Sequence, residues 1–381
     1  MFSTMQTSSA WARSIAVVIA VVVSMVVPGT AGDAADNPGR LLVPIDRLDE
    51  IAGRVEVIDR TSVGWAIVIP TVVPRAGAGL AGAVEDRLYH LAADPLLPSQ
   101  WWFENTGQTG GTADADIDGA SAQSISTADP GQVIAVIDSG IDLDHPDLVD
   151  RIWVNDDEIP GNGVDDDGNG YVDDHRGWDW AEDDNDPSPI ISHGTAVAAL
   201  VAASTNGVGM EGVAPEASIM PLRVCHTSSC PLSWVVSAID YAIANGATAI
   251  NLSLGATGFD QPLYDAVESA AASDILVIAA AGNSRVDLDG GGAFYPASFD
   301  LDHVIAVAAT DHNDELGVWS GGGSNHGATS VDLAAPGKDV TVAVIDDWSN
   351  SGTGTSFAAP MVAGVAAVLH SLRPDLSALQ V

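Results

Sequence analysis

The sequence predicts an α/β domain with a mainly parallel sheet and helices on both faces, preceded by a small α+β region. Three observations carry this. From Val133 onward, short runs of β-branched and apolar residues alternate with helical stretches built from small apolar residues. One run, Val133–Asp144 (VIAVIDSGIDLD), stays apolar until it ends in Asp138 and a Ser-Gly turn, the pattern of a buried parallel strand with an acid at its carboxyl end. The length, 381 residues, exceeds one small domain and allows one large domain with an appendage.

In chain order, Met1–Val27 opens with one base, Arg13, and continues into the apolar run Ser14–Val27. That run is shorter than the roughly 20 residues a bilayer span needs. Pro28-Gly29-Thr30-Ala31 follows as a small-residue cleavage site, so residues 1–31 are read as a secretory signal peptide, with an uncleaved anchor as the alternative. Residues 32–93 contain the strand-like runs RLLVPIDRLDE and VGWAIVIPTVV and a short helical candidate, LAGAVEDRLYHLA, and carry no recognisable chemistry. The Pro- and Gly-rich stretch Asp94–Ser126 reads as a surface loop, which puts a domain boundary near Asp94. Strands are then expected at Val133–Ile137, Ser218–Val224, Thr248–Leu252, Ile275–Ala280 and Val304–Ala309, and helices at His193–Ala203, Ser233–Asn245, Leu263–Ser273 and Ser356–Leu372. Arg373–Val381 (RPDLSALQV) reads as the start of one more helix, with Pro374 in its first turn.

Charge excludes some functions. There are 52 acidic against 13 basic residues, a net charge of −39, and Lys338 is the only lysine. No basic patch exists to displace counterions from a phosphate backbone, so nucleic acid is not an expected partner. The acids are spread along the chain. Two readings are open: a generally acidic secreted protein, or one working in salty, calcium-containing surroundings where self-repulsion is screened. No apolar run after the leader is long enough to span a bilayer, so no stable membrane insertion is expected after processing, and a monomer is expected.

The chemistry centres on Ser349–Val365 (SNSGTGTSFAAPMVAGV). A Gly- and Thr-rich loop delivers Ser356 to the start of a helix, where free N–H groups and the helix dipole favour developing negative charge. Taken alone, this reads better as a Gly-Thr-Ser turn capping a helix. Two further blocks change the balance: Asp138 ends its strand, and His193 opens Ser192–Ala203 (SHGTAVAALVAA). A serine hydroxyl is a weak nucleophile near neutral pH and needs a base, and a histidine base needs an orienting acid.

The blocks VIDSGID, HGTAVA and GTSFAAP, in the order Asp138, His193, Ser356, with NLSLG and AAGN between them, resemble the subtilases, the subtilisin-type serine proteases. The resemblance covers the chain from about Asp94 to Val381. It implies a secreted endopeptidase that acts through an acyl-enzyme on Ser356, with broad cleavage of protein and peptide substrates and some apolar preference. His193 is the general base in that reading, Asp138 its orienting acid, and Asn283 a donor to the oxyanion. Ser253, Leu254 and Gly255 match the segment that pairs with extended substrate. Residues 32–93 fall where the family places a propeptide that assists folding and inhibits the enzyme.

The resemblance also implies calcium, at one or two sites. Asp147 and Asn206, with the carbonyls of Ser204, Val208 and Met210, match the ligands of a tight site in many subtilases. A second loop is visible in the residues themselves. Asp165, Asp167 and Asn169 alternate, Gly170 follows, Tyr171 offers a carbonyl and Asp173 is the next alternate acid, like positions 1, 3, 5, 6, 7 and 9 of an EF-hand loop, though Arg176 stands at position 12. A solvated acidic turn is the alternative there. No organic cofactor is expected. The only cysteines, Cys225 and Cys230, suit a disulfide in a secreted context, with free thiols or part of a metal site as alternatives. The competing function is a catalytically silent, calcium-dependent binding or scaffold protein on the same fold. An esterase of the G-x-S-x-G type is disfavoured because Ala358 stands where the second glycine belongs.

Overall fold

The computed structural model describes residues 94–381, the side chain of Asn350 excepted, and before them the backbone of four strands. These are β1 (Leu41–Pro44), β2 (Val55–Arg60), β3 (Trp65–Pro70) and β4 (Val84–Glu85). They form an antiparallel sheet in the order β2-β3-β1-β4, within a compact unit of its own, Val23–Leu91. Val84–Glu85, inside the stretch expected to be helical, is instead a strand paired with Leu41–Leu42. The remainder of that stretch and the leader, residues 1–31, lie outside the described residues.

The main unit is built on a seven-stranded, wholly parallel sheet. Its chain order is α1 (Gly119–Gln123), β5 (Val133–Asp138), β6 (Trp178–Asp179), α2 (His193–Ala202), β7 (Ser218–Arg223), α3 (Leu232–Ala244), β8 (Ala249–Leu252), α4 (Gln261–Ala272), β9 (Leu276–Ala280), β10 (Val304–Thr310), the small ladder of β11 (Val318–Trp319) and β12 (Gly322–Gly323), β13 (Leu333–Pro336), the hairpin of β14 (Val340–Val344) and β15 (Asp347–Gly352), and α5 (Thr355–Leu372). The sheet runs β13-β10-β9-β8-β5-β7-β6. Every anticipated strand of this unit, and every anticipated helix but the last, falls within two residues of its expected ends. The expected final helix does not form. Pro374 has no N–H with which to carry α5 on past Leu372, and Arg373–Val381 makes turns, with Ala378 N–H donating to Asp274 Oδ1 at 2.8 Å.

The strands are continuously apolar because both sheet faces are covered. Ile134 and Val136 of β5 face α2 and α5, whereas Val133, Ala135 and Ile137 face α3 and α4. Small residues let the helices lie close: nine of the ten residues of α2 are buried, six of them alanine, glycine or threonine. From β5 the chain builds outward in both directions, to β7 on one side and β8 on the other. The carboxyl end of β5 is therefore a topological switch point, where a parallel sheet opens a crevice. Asp138 is the last residue of that strand.

Candidate active site

A cleft of about 700 Å³ opens at this edge, and Asp138, His193, Ser253, Gly255, Asn283 and Ser356 all line it. Asp138 is fixed from three sides. Its backbone carbonyl accepts from Val224 N–H (2.8 Å), and its Oδ1 accepts from Ser139 N–H (2.6 Å). The carboxylate then accepts from Nδ1–H of His193, at 2.8 Å to Oδ1 and 3.0 Å to Oδ2. Asp138 is 2% exposed, so this bond is shielded from water. The close approach of strand and helix needs Gly194: a Cβ there would lie 2.2 Å from the Gly140 carbonyl.

With Nδ1 committed to Asp138, a neutral His193 keeps Nε2 as an acceptor toward the cleft. The Asp138 charge raises the His193 pKa above its ordinary 6.5, and burial opposes it.

Ser356 is the second residue of α5, so its N–H has no intrahelical acceptor. Pro360 lies four residues on and has no N–H to give the Ser356 carbonyl. Ser253 takes that place, its Oγ–H donating to Ser356 O at 2.8 Å. Ser356 Oγ–H in turn donates to Ser253 O at 3.1 Å, and Asn251 Nδ2 braces Ser253 Oγ at 3.0 Å. The serine is thus clasped to the segment expected to bind substrate.

Asn283 is oriented by Thr355. Its Oδ1 accepts from Thr355 N–H (2.9 Å) and Thr355 Oγ1–H (3.1 Å), while Thr355 Oγ1 accepts from Gly282 N–H (3.0 Å). Two donors on Oδ1 fix the amide, which leaves Nδ2 for the cleft. Gly354, at φ 145°, carries the chain past this amide. Neither the role of Thr355 nor the Ser253 hydroxyl clasp was legible from motifs. Both depend on loops far apart in the chain.

Cys225 and Cys230 are joined by a disulfide that forms part of one cleft wall. The wall is completed by Leu232, Val235, Leu254 and Leu263, which make that end of the cleft apolar.

The first calcium expectation meets a suitable set of groups. Asp147 is fully buried. Its Oδ2 accepts from Met210 N–H (3.0 Å) and Trp348 Nε1–H (2.9 Å), but its Oδ1 has no partner. Asp94, 1% exposed, joins it from the domain boundary. Its Oδ1 accepts from Asn206 N–H and Gly207 N–H, and its Oδ2 is also unpartnered. Burial pushes Asp94 up to about 6 and raises Asp147, and proximity to Asp147 adds to the shift on Asp94. Two buried carboxylates with orphaned oxygens around a Gly-rich loop have the chemistry that a hard cation requires. Asn206 Oδ1 and the carbonyls of Ser204, Val208 and Met210 belong to the same loop. Asp94 was missed because it stands alone, far from the rest in sequence.

In the second loop, ligand atoms of Asp165 and Asp167 lie within 4.8 Å of each other and of Glu158. Glu158 comes from upstream and places a carboxylate beside them, which Arg176 cannot offer. Asp173 turns elsewhere, its two oxygens accepting from Asn162 N–H (2.9 Å) and Gly163 N–H (2.8 Å). Asn169 Oδ1 accepts from Tyr171 N–H at 2.8 Å.

The subtilase family model matches residues 129–381. The chain is 37% identical over 252 residues to the thermophilic serine proteinase of Bacillus sp. (strain AK1), covering 66% of this chain and 55% of that protein. It is 36% identical over 249 residues to subtilisin DY of Bacillus licheniformis (65% and 80% covered). It is likewise 36% identical over 244 residues to thermitase of Thermoactinomyces vulgaris (63% and 75% covered). The match thus spans about half the length of the first of these relatives. A solved cold adapted subtilisin-like serine proteinase superposes with a TM-score of 0.54 at 28% identity, covering 74% of this chain and 88% of that one. Fold, family match and relatives agree: the chain belongs to the subtilase family of serine peptidases.

Proposed function

We propose that the protein is a secreted endopeptidase that cleaves peptide bonds through an acyl-enzyme on Ser356, with Asp138, His193 and Asn283 as its machinery. The observation that carries this is the bond from His193 Nδ1–H to a buried Asp138 at the edge of a cleft that also holds Ser356 and Asn283.

In the reaction, Ser356 Oγ attacks the scissile carbonyl while its proton moves to His193 Nε2, leaving the resting bond to Ser253 O. The new oxyanion is met by Asn283 Nδ2–H and the Ser356 N–H. His193 returns the proton to the leaving amine, the C–N bond breaks, and water repeats the sequence on the ester. Substrate runs as an added strand along Ser253–Gly255. Residues 32–93 act as propeptide and inhibitor, cut near Asp94 after removal of the leader. Asp94, Asp147 and the 204–210 loop, and Glu158, Asp165 and Asp167, would hold one or two calcium ions, whose charge would offset that of the buried carboxylates and tie these loops to the domain.

Treatment of the purified, secreted protein with a fluorophosphonate tests the reading. A single adduct on Ser356 is expected by intact mass, on a chain that has lost its N-terminal region. A folded, processed chain that takes no adduct would favour the silent scaffold.

Two kinetic results follow. Asn283→Ala lowers kcat by about 10²–10³ with KM little changed, because its donor acts on charge that exists only in the transition state. An unchanged kcat would remove Asn283 from the oxyanion site. The acid limb of kcat/KM lies above the ordinary histidine 6.5, since the raised His193 pKa keeps the base protonated to higher pH. The sign for stability is opposite. The preference for imidazolium stabilises the fold fully below the unfolded pKa, and that contribution is lost as pH rises through the folded one. A kcat/KM limb below 6.5 would contradict the coupling to Asp138.

A further inference from the structure

We infer that Phe294 fills the subsite for the side chain preceding the scissile bond and restricts the enzyme to small residues, alanine and serine, at that position. The inference rests on the endopeptidase reading of the cleft. With substrate paired along Ser253–Gly255 and its carbonyl directed at Asn283, the first side chain enters between Gly255 and the Ala280–Asn283 segment. Both walls carry glycine at that level, and a pair of facing glycines would ordinarily leave a deep slot.

The slot is occupied. A Cβ placed on Gly255 would lie 2.5 Å from Phe294 Cε1, and one on Gly282 would lie 2.9 Å from Phe294 Cγ. One aromatic ring therefore packs against both glycines, and it lines the cleft. The space over Gly255 is taken by the ring and the Tyr295 carbonyl, and that over Gly282, whose φ of +100° itself calls for glycine, by Asn325 Nδ2 and the ring, so neither is left to substrate.

The ring is held in place. Phe294 N–H donates to Ser298 Oγ (3.0 Å), and its carbonyl accepts from Ser298 N–H (2.9 Å). The next residue, Tyr295, exchanges two bonds with Ala256, at 2.9 and 2.7 Å, which stitches this loop to the substrate segment. The ring also rests on the buried cluster that contains Ala281, Leu288 and Ala308. Moving it aside would break this packing, so a large incoming side chain meets a wall. A methyl or hydroxymethyl group needs no such movement. A hydrophobic pocket that gains or loses one methylene discriminates by roughly 10–200-fold, and a whole ring exceeds that increment.

The test compares tetrapeptide p-nitroanilides that differ only in the last residue, alanine, leucine or phenylalanine, on processed wild type, Phe294→Ala and Phe294→Leu. Active sites are counted by fluorophosphonate titration. We expect the wild type to prefer alanine over phenylalanine by at least about tenfold in kcat/KM. Phe294→Ala, or Phe294→Leu should the alanine variant not fold, shifts that ratio toward the large residue by about tenfold or more. Wild type that cleaves after phenylalanine or leucine as well as after alanine overturns the inference, as does a fully titratable variant with an unchanged ratio. If wild type neither titrates nor hydrolyses any substrate, the endopeptidase reading itself falls, and the inference with it.

Discussion

Ser356→Ala lowers kcat on a peptide substrate by roughly 10⁶-fold, the scale on which removal of the serine or histidine from such a constellation acts. The residual rate comes from substrate binding and the oxyanion donors. Asp138→Asn costs about 10⁴-fold, because an amide can present N–H to His193 and hold the wrong tautomer toward Ser356. The two losses do not add. Once Ser356 has no hydroxyl, the orientation of His193 has nothing to activate, so the double variant is about as slow as Ser356→Ala alone. Single-turnover measurements at known protein concentration check all three, with active-site titration to calibrate the wild type. A Ser356→Ala enzyme within tenfold of wild type would mean that another group forms the covalent bond. Additive losses would mean that Asp138 serves only the fold. Its geometry argues otherwise: both carboxylate oxygens lie within hydrogen-bond reach of His193 Nδ1.

Calcium withdrawal is the second large effect, expressed in stability. Asp94 and Asp147 are buried with one orphaned oxygen each, and no basic side chain shares a salt bridge with either among the described residues. A bound cation would supply the missing partner. For an ion present at about a thousand times its Kd, linkage gives about 4 kcal/mol. At roughly 2–4 °C per kcal/mol for a domain of this size, melting falls by about 10 °C when a chelator replaces calcium. Asp147→Asn removes most of the calcium dependence at that site, whereas Glu158→Gln affects only a second, weaker increment. Calorimetry in calcium, in chelator and in magnesium separates these. A melting temperature indifferent to calcium in wild type would show that these carboxylates are satisfied without it.

Membership of the subtilase family and the parallel sheet could be read from the residues alone. The parallel strands were legible because burial on both faces leaves uninterrupted apolar runs, and the long helices because their composition persists over several turns. Asp138, His193 and Ser356 were legible because each sits in a short block whose local turn serves its side chain. Elements of two residues, such as Trp178–Asp179, have no period to detect, and the hairpin Val340–Gly352 follows a tight turn inside what reads as a loop. The last segment misled because three spaced apolar residues mimic a helix, while Pro374 and the bond from Ala378 to Asp274 make turns of it.

Tertiary structure alone decided what depends on meetings across the chain. It brought Asp94 to Asp147, Glu158 to Asp165 and Asp167, and Thr355 to Asn283. It also placed the ring of Phe294 against Gly255 and Gly282, a meeting of three segments that no single run of residues shows. The physical reason is common to all four. Local sequence fixes which way a backbone turns, but the neighbour of a side chain is set by which loops the packed sheet and helices deliver to the same edge.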